Sequence, residues 1–563
     1  MRFFKRKRLI QKDIEPDEIF MDSQNIPNFD VQQFEGRIET SISRKSIVYI
    51  ALFFLLIIFI FIFKLNSLQI KRGENYSKIS QRNSLNGQII FADRGIVYDR
   101  NGVELAWNEE KSEEDDFGKR TYIKSGGFGV LLGYVDVPKK DKFGFWWQEK
   151  FIGKDGLEKY YDDYLNGENG SKFIEKNALG QIESENIVNE PVHGSNLNTS
   201  IDSRLQTKIY DSIVDLSSRI GYEGGAGVIM DIYTGEIIVS TSYPEYDPQV
   251  MSDGDNQELI KEYLVSSQKP FLNRSISGLY SPGSIVKPFV AIGALNENII
   301  TKDTRILSTG EVEIPNPYNP ELSTIFRDWR EGGHGYVNVV RAIGDSVNTF
   351  FYAIGGGLKN QTGLGITKIE EYMKVFGVGE KTGVDIGGEI SGVVPNPDWK
   401  KRVFKGDVWR LGDTYNTSIG QYGFQVTPIQ MVRSIAVIAN EGVMITPSFS
   451  LESVSEPKKI SKDILPEDYQ TIKEGMRNVV EEGTGQLMNV SYVDVAAKTG
   501  TAQTGVGNKF VNSWSVGFFP YENPRYSFVV LMEKGPKKND LSSSFVMRQA
   551  FDYMRDNAPE YLK

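Results

Sequence analysis

Scattered Ile and Phe among charged residues make up the first 46 positions, and then the pattern changes abruptly: Ile47 to Phe63 passes without one charge and is nearly all Ile, Leu, Phe and Val. As a helix rising about 1.5 Å per residue, that run is roughly 25 Å long. It approaches the ~30 Å hydrocarbon core of a bilayer. Lys64 can snorkel, and Leu65 and Leu68 extend the apolar stretch. A buried core helix would show polar positions within the run. A cleaved signal peptide would have a shorter leader and a small-x-small site, where Lys64-Leu65-Asn66-Ser67-Leu68 stands instead. The run therefore reads as one uncleaved membrane anchor, 47–64, behind a solvated tail, 1–46. Nine Lys/Arg in that tail favour a cytoplasmic N-terminus, although Lys64, Lys71, Arg72, Lys78 and Arg82 follow the span closely and weaken the asymmetry.

Beyond the anchor, residues 65–204 carry short apolar runs such as Gln88–Phe91 and Gly129–Val135 between turn residues, with one helical stretch at Gly156–Leu165. This predicts an irregular, β-rich region, with Asn108–Arg120 and Val135–Phe143 as solvent-facing loops. From Leu205 the period lengthens: Leu205, Ile209, Ile213 and Leu216 share a helical face. Two strands follow, Ala226–Ile232 and Glu236–Ser242. Helices are predicted at Ser284–Leu295, Val337–Leu358, Thr427–Ala439 and Glu467–Val480, strands at Ser513–Phe519 and Tyr526–Met532, and a last helix at Ser543–Asn557. Strands at both ends with helices between them predict an α/β domain over 205–563, its sheet built from chain-distant pieces.

Composition narrows the chemistry. The 563 residues have a net charge of −10, which opposes a nucleic-acid partner. With no cysteine, there is no disulfide, thiolate metal site or cysteine nucleophile, and with only His193 and His334 there is no histidine-rich metal site. No cofactor or metal is expected. Any serine nucleophile is pushed toward a lysine or carboxylate base.

Three short motifs fit that demand. Ser284-Ile285-Val286-Lys287 follows the turn signal Pro282-Gly283. One helical turn puts Lys287 on the face of Ser284, and a helix start offers free N–H groups to a developing oxyanion. A serine hydroxyl needs a base, and a lysine serves only if burial or a nearby positive charge brings it down from about 10.4. Ser346-Val347-Asn348 supplies a hydroxyl and an amide that can relay protons and hold a substrate amide; its bland reading is a helix cap. Lys498-Thr499-Gly500-Thr501 follows the apolar Val493–Ala497, and glycine on a strand lets a ligand backbone come close. Each motif alone is weak: Ser455–Lys458 and Lys381-Thr382-Gly383 are decoys in this same chain. The ordered trio is the signature of penicillin-binding proteins and class A β-lactamases.

Longer stretches separate those two. Arg94-Gly-Ile-Val-Tyr-Asp-Arg-Asn-Gly-Val-Glu-Leu-Ala106, Gly156-Leu-Glu-Lys-Tyr-Tyr-Asp162, Asn196–Asp202, Tyr280–Phe289, Trp409–Gln421 and Val426–Gln430 resemble class B penicillin-binding proteins, over nearly everything from 65 to 535. Leu131–Val135, Asp328-Trp329 with Gly333-His334-Gly335, and Ser418-Ile-Gly-Gln421 resemble the penicillin-binding protein 2 branch, which serves cell elongation. Asn512 and Ser515, around Trp514, depart from what relatives often carry.

The resemblance implies a transpeptidase domain of the serine β-lactamase-like fold at 205–563 and a β-rich pedestal of the dimerisation type at 65–204. The pedestal is too short for the glycosyltransferase of class A enzymes. Ser284 would be acylated with Lys287 as its base; Ser346 and Asn348 would assist, and Lys498 and Thr499 would bind the stem-peptide carboxylate beside Gly500. The N–H groups of Ser284 and Thr501 would form the oxyanion hole. The donor would be a stem peptide ending in D-Ala-D-Ala, an amine of a second stem the acceptor, and β-lactams covalent inhibitors. His334 would order a loop. The implied partners are peptidoglycan stems and a RodA-like SEDS polymerase of the elongation complex. The rivals are a non-catalytic scaffold that activates such a polymerase, a β-lactam sensor, and a hydrolase using water as acceptor.

Overall fold

The computed structural model describes residues 44–66, 86–112, 115–176, 182–316, 319–453, 455–538 and 540–563. The expected tail and the stretch 67–85 lie outside them, apart from 44–46 at the start of the apolar helix. The chain forms two units, 1–86 and 87–563. In the first, the helix Arg44–Asn66 contains a 20-residue apolar stretch, Ile47–Asn66, long enough to cross a membrane.

In the second unit, the segment before residue 203 is built from short strands. One four-stranded sheet runs, in spatial order, Leu197–Asn198, Val97–Tyr98, Glu104–Asn108, Arg120–Tyr122. The run Gln88–Phe91 overlaps the strand Asn86–Ile90, which ends one residue before Phe91. Gly129–Val135, expected as a β run, is a helical turn at Gly129–Leu132 with a two-residue strand after it. The half-buried Glu245 carboxylate fixes that turn by accepting the N–H groups of Gly127 (2.6 Å) and Gly129 (2.7 Å). The Gly156–Leu165 helix is broken at Tyr161 into two short pieces. Neither predicted loop is wholly solvent-facing. Arg120 lies buried on a strand, and 135–143 contains the strands Val135–Asp136 and Lys139–Lys140.

The Arg94–Ala106 and Gly156–Asp162 motifs meet in this segment's interior. Arg94 Nε and Arg120 Nε grip the two oxygens of Glu158 at 2.6 and 2.7 Å, all three side chains being fully buried. Arg94 also reaches Asp162 at 2.8 Å. Further along, Asp99 accepts the N–H groups of Asn101 and Val103 and, through its other oxygen, both N–H and hydroxyl of Ser203. Asp99 thereby ties the turn to the first residue of the next helix.

That helix, α1 (Ser203–Ile220), is capped by Asp202, whose side chain accepts Arg204 N. Chain order then runs β1 (Gly224–Asp231), β2 (Ile237–Tyr243), α2 (Lys287–Asn296), α3 (Asn348–Gly356), α4 (Pro428–Ala439), α5 (Pro466–Glu481), β3 (Ala496–Thr504), β4 (Phe510–Phe519), β5 (Tyr526–Pro536) and α6 (Ser544–Asn557). The sheet order is β2-β1-β5-β4-β3, every neighbour antiparallel, so that the two ends of the domain meet at β1–β5. Alternation along β5 sorts the two cores: Phe528, Val530 and Met532 pack with α1 and α6, while Val529 and Leu531 face the larger core with α2, α4 and α5. The two anomalous residues are absorbed by packing. Ser515 Oγ bonds Ser543 and Ser544, and Asn512 Oδ1 accepts Lys534 N.

The structure also shows elements that the pattern did not predict. The short helices Pro248–Asp253, Gln257–Val265, Gly365–Val375, Pro397–Val403 and Leu411–Ser418, and a hairpin of Glu311–Asn316 with Asn319–Arg327, complete the domain.

Candidate active site

The decoys separate first. Lys381-Thr382-Gly383 is a structural knot, since Glu389 accepts Thr382 Oγ1 at 2.6 Å and Gly383 N at 2.9 Å. Its neighbour Asp385 joins Tyr161 OH (2.6 Å) to Ser448 Oγ (2.8 Å). Ser455 accepts the N–H of Thr446.

The other three motifs converge. Ser284 sits in a 3₁₀ turn, Gly283–Val286, that leads into α2, so the expected single helix has a tighter first turn. Gly283 has φ +56°, a conformation that favours glycine. It is held between two backbones: its N–H donates to Gly420 O at 3.0 Å, and a side chain on it would meet Thr501 O at 3.2 Å. The segment before the turn is equally fixed. Trp514 Nε1 donates to Ser281 O at 3.0 Å, and Tyr280 packs edge-on against the Trp514 ring.

Lys287 is fully buried. Its ammonium donates to Ser346 O at 2.7 Å, to Ser346 Oγ at 3.2 Å and to Asn348 Oδ1 at 2.7 Å. Among the described residues these are its three hydrogen-bond acceptors; the partly exposed Ser284, one turn earlier, is not one of them. The expected helix 337–358 is broken here. Val339–Gly344 ends, Ser346 takes φ +56°, and α3 begins at Asn348. A non-glycine residue in this region is strained, and the break lets both the carbonyl and the hydroxyl of Ser346 reach one amine. The helix-cap reading of Ser346 fails, because neither it nor Val347 caps α3 with a side-chain bond.

Lys498, Thr499, Gly500 and Thr501 lie on β3, the edge strand, which pairs with β4 on one side only. The turn at 282–285 packs against Gly500, where an added Cβ would lie 2.9 Å from both Ile285 Cγ2 and Pro282 O. Glycine is therefore required for turn and strand to touch. Lys498 is fully buried, and its ammonium donates to Thr499 O at 2.8 Å. The Thr499 hydroxyl bonds Thr484, a partner that no sequence motif marked.

Burial without a nearby ion pair governs both lysines. It pushes Lys498 down to about 7. Lys287 is held well below the ordinary lysine range, first by burial and then by the charge of Lys498, against the opposing pull of Asp328. Asp328, its carboxylate fully buried, accepts Thr349 N and Thr349 Oγ1, each at 3.0 Å. The buried His334 ring stands 3.7 Å from Asp328 and 3.7 Å from Asp345, and packs edge-on to Trp329. Asp345 directly precedes the Ser346 break, and Asp328 holds Thr349 just after it. Asp328 and Thr484 were the contributors that the sequence left unassigned.

Residues 225–551 match the family described as the penicillin binding protein transpeptidase domain, and residues 116–199 the penicillin-binding protein dimerisation domain. The chain is 32% identical to the peptidoglycan D,D-transpeptidase MrdA of Acinetobacter baumannii, over 77% of this chain and 66% of that relative. It is 27% identical to MrdA of Escherichia coli K12, over 89% of this chain and 92% of that one. Among solved structures, the penicillin-binding protein PBP2 in complex with MreC from Helicobacter pylori superposes with a TM-score of 0.69 at 27% identity, covering 84% of this chain and 99% of that one. A low-lying buried lysine beside a serine turn, an SxN break and an edge-strand KTG thus coincide with a family match over most of the chain, which belongs to the penicillin-binding protein transpeptidase family.

Proposed function

We propose that this chain is a membrane-anchored D,D-transpeptidase that cross-links peptidoglycan through an acyl-enzyme on Ser284. The observation that carries the reading is the Lys287 amine, buried beside a second lysine and held on Ser346 and Asn348. A neutral amine is what a general base for serine requires. The donor stem pairs along the open side of β3, as extended peptides pair with sheet edges. Its terminal carboxylate is bound by Lys498 and Thr499.

Ser284 Oγ attacks the carbonyl carbon of the penultimate D-Ala residue, and its proton passes to Lys287. The tetrahedral oxyanion is held by the N–H groups of Ser284 and Thr501. As the C–N bond breaks, the leaving D-Ala takes a proton relayed through Ser346, and an ester remains on Ser284. An amine of a second stem then attacks the ester and restores the serine.

The apolar helix anchors the chain with its N-terminus in the cytoplasm and the 87–563 unit outside. The resemblance to the MrdA proteins and to an MreC-bound PBP2 supports a role in elongation beside a RodA-like polymerase. The intact break at Ser346 and the buried lysine pair favour catalysis over a scaffold. The test is an intact mass after incubation with a labelled penicillin. One adduct, mapped to the peptide containing Ser284, supports the reading; a folded protein with no adduct, or an adduct elsewhere, sinks it.

The Lys498 value gives a pH prediction. Only the charged ammonium binds a carboxylate, so the second-order rate of acylation by benzylpenicillin should fall as pH rises through about 7. Bound ligand keeps Lys498 charged, so the saturated rate should not fall there. Lys498→Arg, always charged, should move the fall to higher pH even if acylation is slower throughout. Identical profiles for both proteins would count against Lys498 as the carboxylate site.

A further inference from the structure

On the other side of Gly283 from Thr501 lies a wall that none of the three motifs includes. Gly420 abuts the turn so closely that a Cβ on it would fall 2.1 Å from Gly283 O. Two residues on, Tyr422 is the centre of an aromatic cluster. Its ring stacks on Phe404 at 6.1 Å and 12°, and meets Trp399 and Trp409 edge-on, each at 5.8 Å. Gly423 leaves room for this, since a side chain there would meet the Trp399 ring at 2.4 Å. Lys400 is buried beneath, 5.6 Å from the Tyr422 ring and bound to Asp413 at 2.6 Å and Asp407 at 3.1 Å.

Two further features point outward. Tyr422 (φ +65°) and Lys405 (φ +51°) both hold left-handed backbone that non-glycine residues avoid. Such strain persists only where the surroundings impose it, and it gathers at functional sites. Phe404 nonetheless remains 48% exposed, beside exposed Val403, Val408 and Leu411. The cations of the segment divide in the same way. Lys400 and Arg410 pair with Asp407, and Lys401 with Asp398, whereas the exposed Arg402 and Lys405 have no carboxylate partner among the described residues.

We propose that this wall is a subsite for the acceptor chain, with Arg402 and Lys405 holding a free carboxylate of its stem peptide against the aromatic surface. The inference rests on the transpeptidase reading. The donor's carboxylate goes to Lys498 and Thr499 on β3, so the second chain must reach the ester from another side. Stem peptides carry free carboxylates along their length, and the wall joins unpaired positive charge to apolar rings packed on Tyr422, two residues from the Gly420 that touches the nucleophile's turn.

The test compares two fates of one acyl-enzyme. Full-length protein is given glycan strands bearing pentapeptide stems, with a tetrapeptide stem added as acceptor, its carboxylates either free or amidated. Cross-linked and hydrolysed products are counted together. For the double variant Arg402→Glu, Lys405→Glu we expect the cross-link-to-hydrolysis ratio to fall about fivefold to tenfold with the free-carboxylate acceptor, as for two lost exposed charged contacts. With the amidated acceptor, wild type and variant should agree within about twofold, because the contact is absent from both. The glutamine pair, Arg402→Gln with Lys405→Gln, should show a smaller loss of the same pattern. Stoichiometric penicillin labelling of Ser284 shows that the variants are folded. An equal loss with both acceptors, no loss, or a parallel loss of cross-linking and hydrolysis would overturn the subsite. Failure of the wild type to take up penicillin at Ser284 would instead overturn the transpeptidase reading beneath it.

Discussion

Lys287→Met should acylate with penicillin about 10²- to 10⁴-fold more slowly than wild type, the range spanned by loss of a positioned general base. Lys287 is fully buried, and among the described residues no carboxylate forms an ion pair with it; its bonds run to a carbonyl, a hydroxyl and an amide oxygen. Methionine matches the length of the stem and removes a polar amine whose burial is unfavourable. It also leaves three acceptors short of a donor, at about 1–3 kcal/mol for each that stays dry. These effects oppose one another, so the fold should survive while the chemistry does not. Lys287→Arg separates hydrogen bonding from basicity: a guanidinium still donates to nearby acceptors, cannot deprotonate, and should be as slow as methionine. Ser284→Ala sets the floor, with no adduct at any time. The readout is the time course of intact mass. A methionine variant within about threefold of wild type would remove Lys287 from the base role, with water or Lys498 taking its place.

What the sequence disclosed about this site follows from the kind of signal each part carries. Ser284, Lys287 and the KTG strand were legible because each sits where local pattern and chemistry agree: a Pro-Gly turn before an apolar helix, and a glycine on a strand. The break at Ser346 was not, since Val339 to Gly356 is apolar at helical spacing and the interruption comes from a left-handed serine held by tertiary contacts. Residues whose role depends on long-range approach gave no local sign. Thr484 reaches Thr499, Asp328 reaches Thr349, and Gly420 touches Gly283 across more than a hundred residues of chain. The same logic explains the elements that were missed. Gly129–Leu132 looks like a strand by composition and turns helical because Glu245, distant in sequence, accepts its first N–H groups. Decoy motifs were recognisable by their flanks alone, and their contacts agree: Thr382 and Gly383 serve Glu389 rather than a ligand.

The largest stability effect should come from a residue far from the chemistry. Glu158→Gln should destabilise the 87–563 unit by about 3–5 kcal/mol, as breaking a buried ion pair does. The carboxylate stands between two buried guanidiniums, Arg94 at 2.6 Å and Arg120 at 2.7 Å. Arg94 would keep Asp162 at 2.8 Å, but Arg120 would keep only the neutral acceptors Gly95 O and Asn108 Oδ1, and its Nη2 already has no partner. The cost is therefore one uncompensated buried charge, and removing that charge as well should recover part of it. Glu158→Leu with Arg120→Leu is accordingly expected to melt above Glu158→Gln, despite losing more atoms. Burial raises the Glu158 pKa, but the two arginines outweigh it and hold the carboxyl below its ordinary range. A depressed folded-state pKa adds stability above the unfolded value of about 4.3 that is lost as pH falls through the folded one. The gap in thermal midpoint between wild type and Glu158→Gln should thus be full at pH 7 and narrow well below pH 4. A gap under about 1 kcal/mol at pH 7, or one that does not change with acid, would mean that the two arginines are satisfied without Glu158. The Arg94 and Gly156–Asp162 motifs would then need an explanation other than this ionic joint.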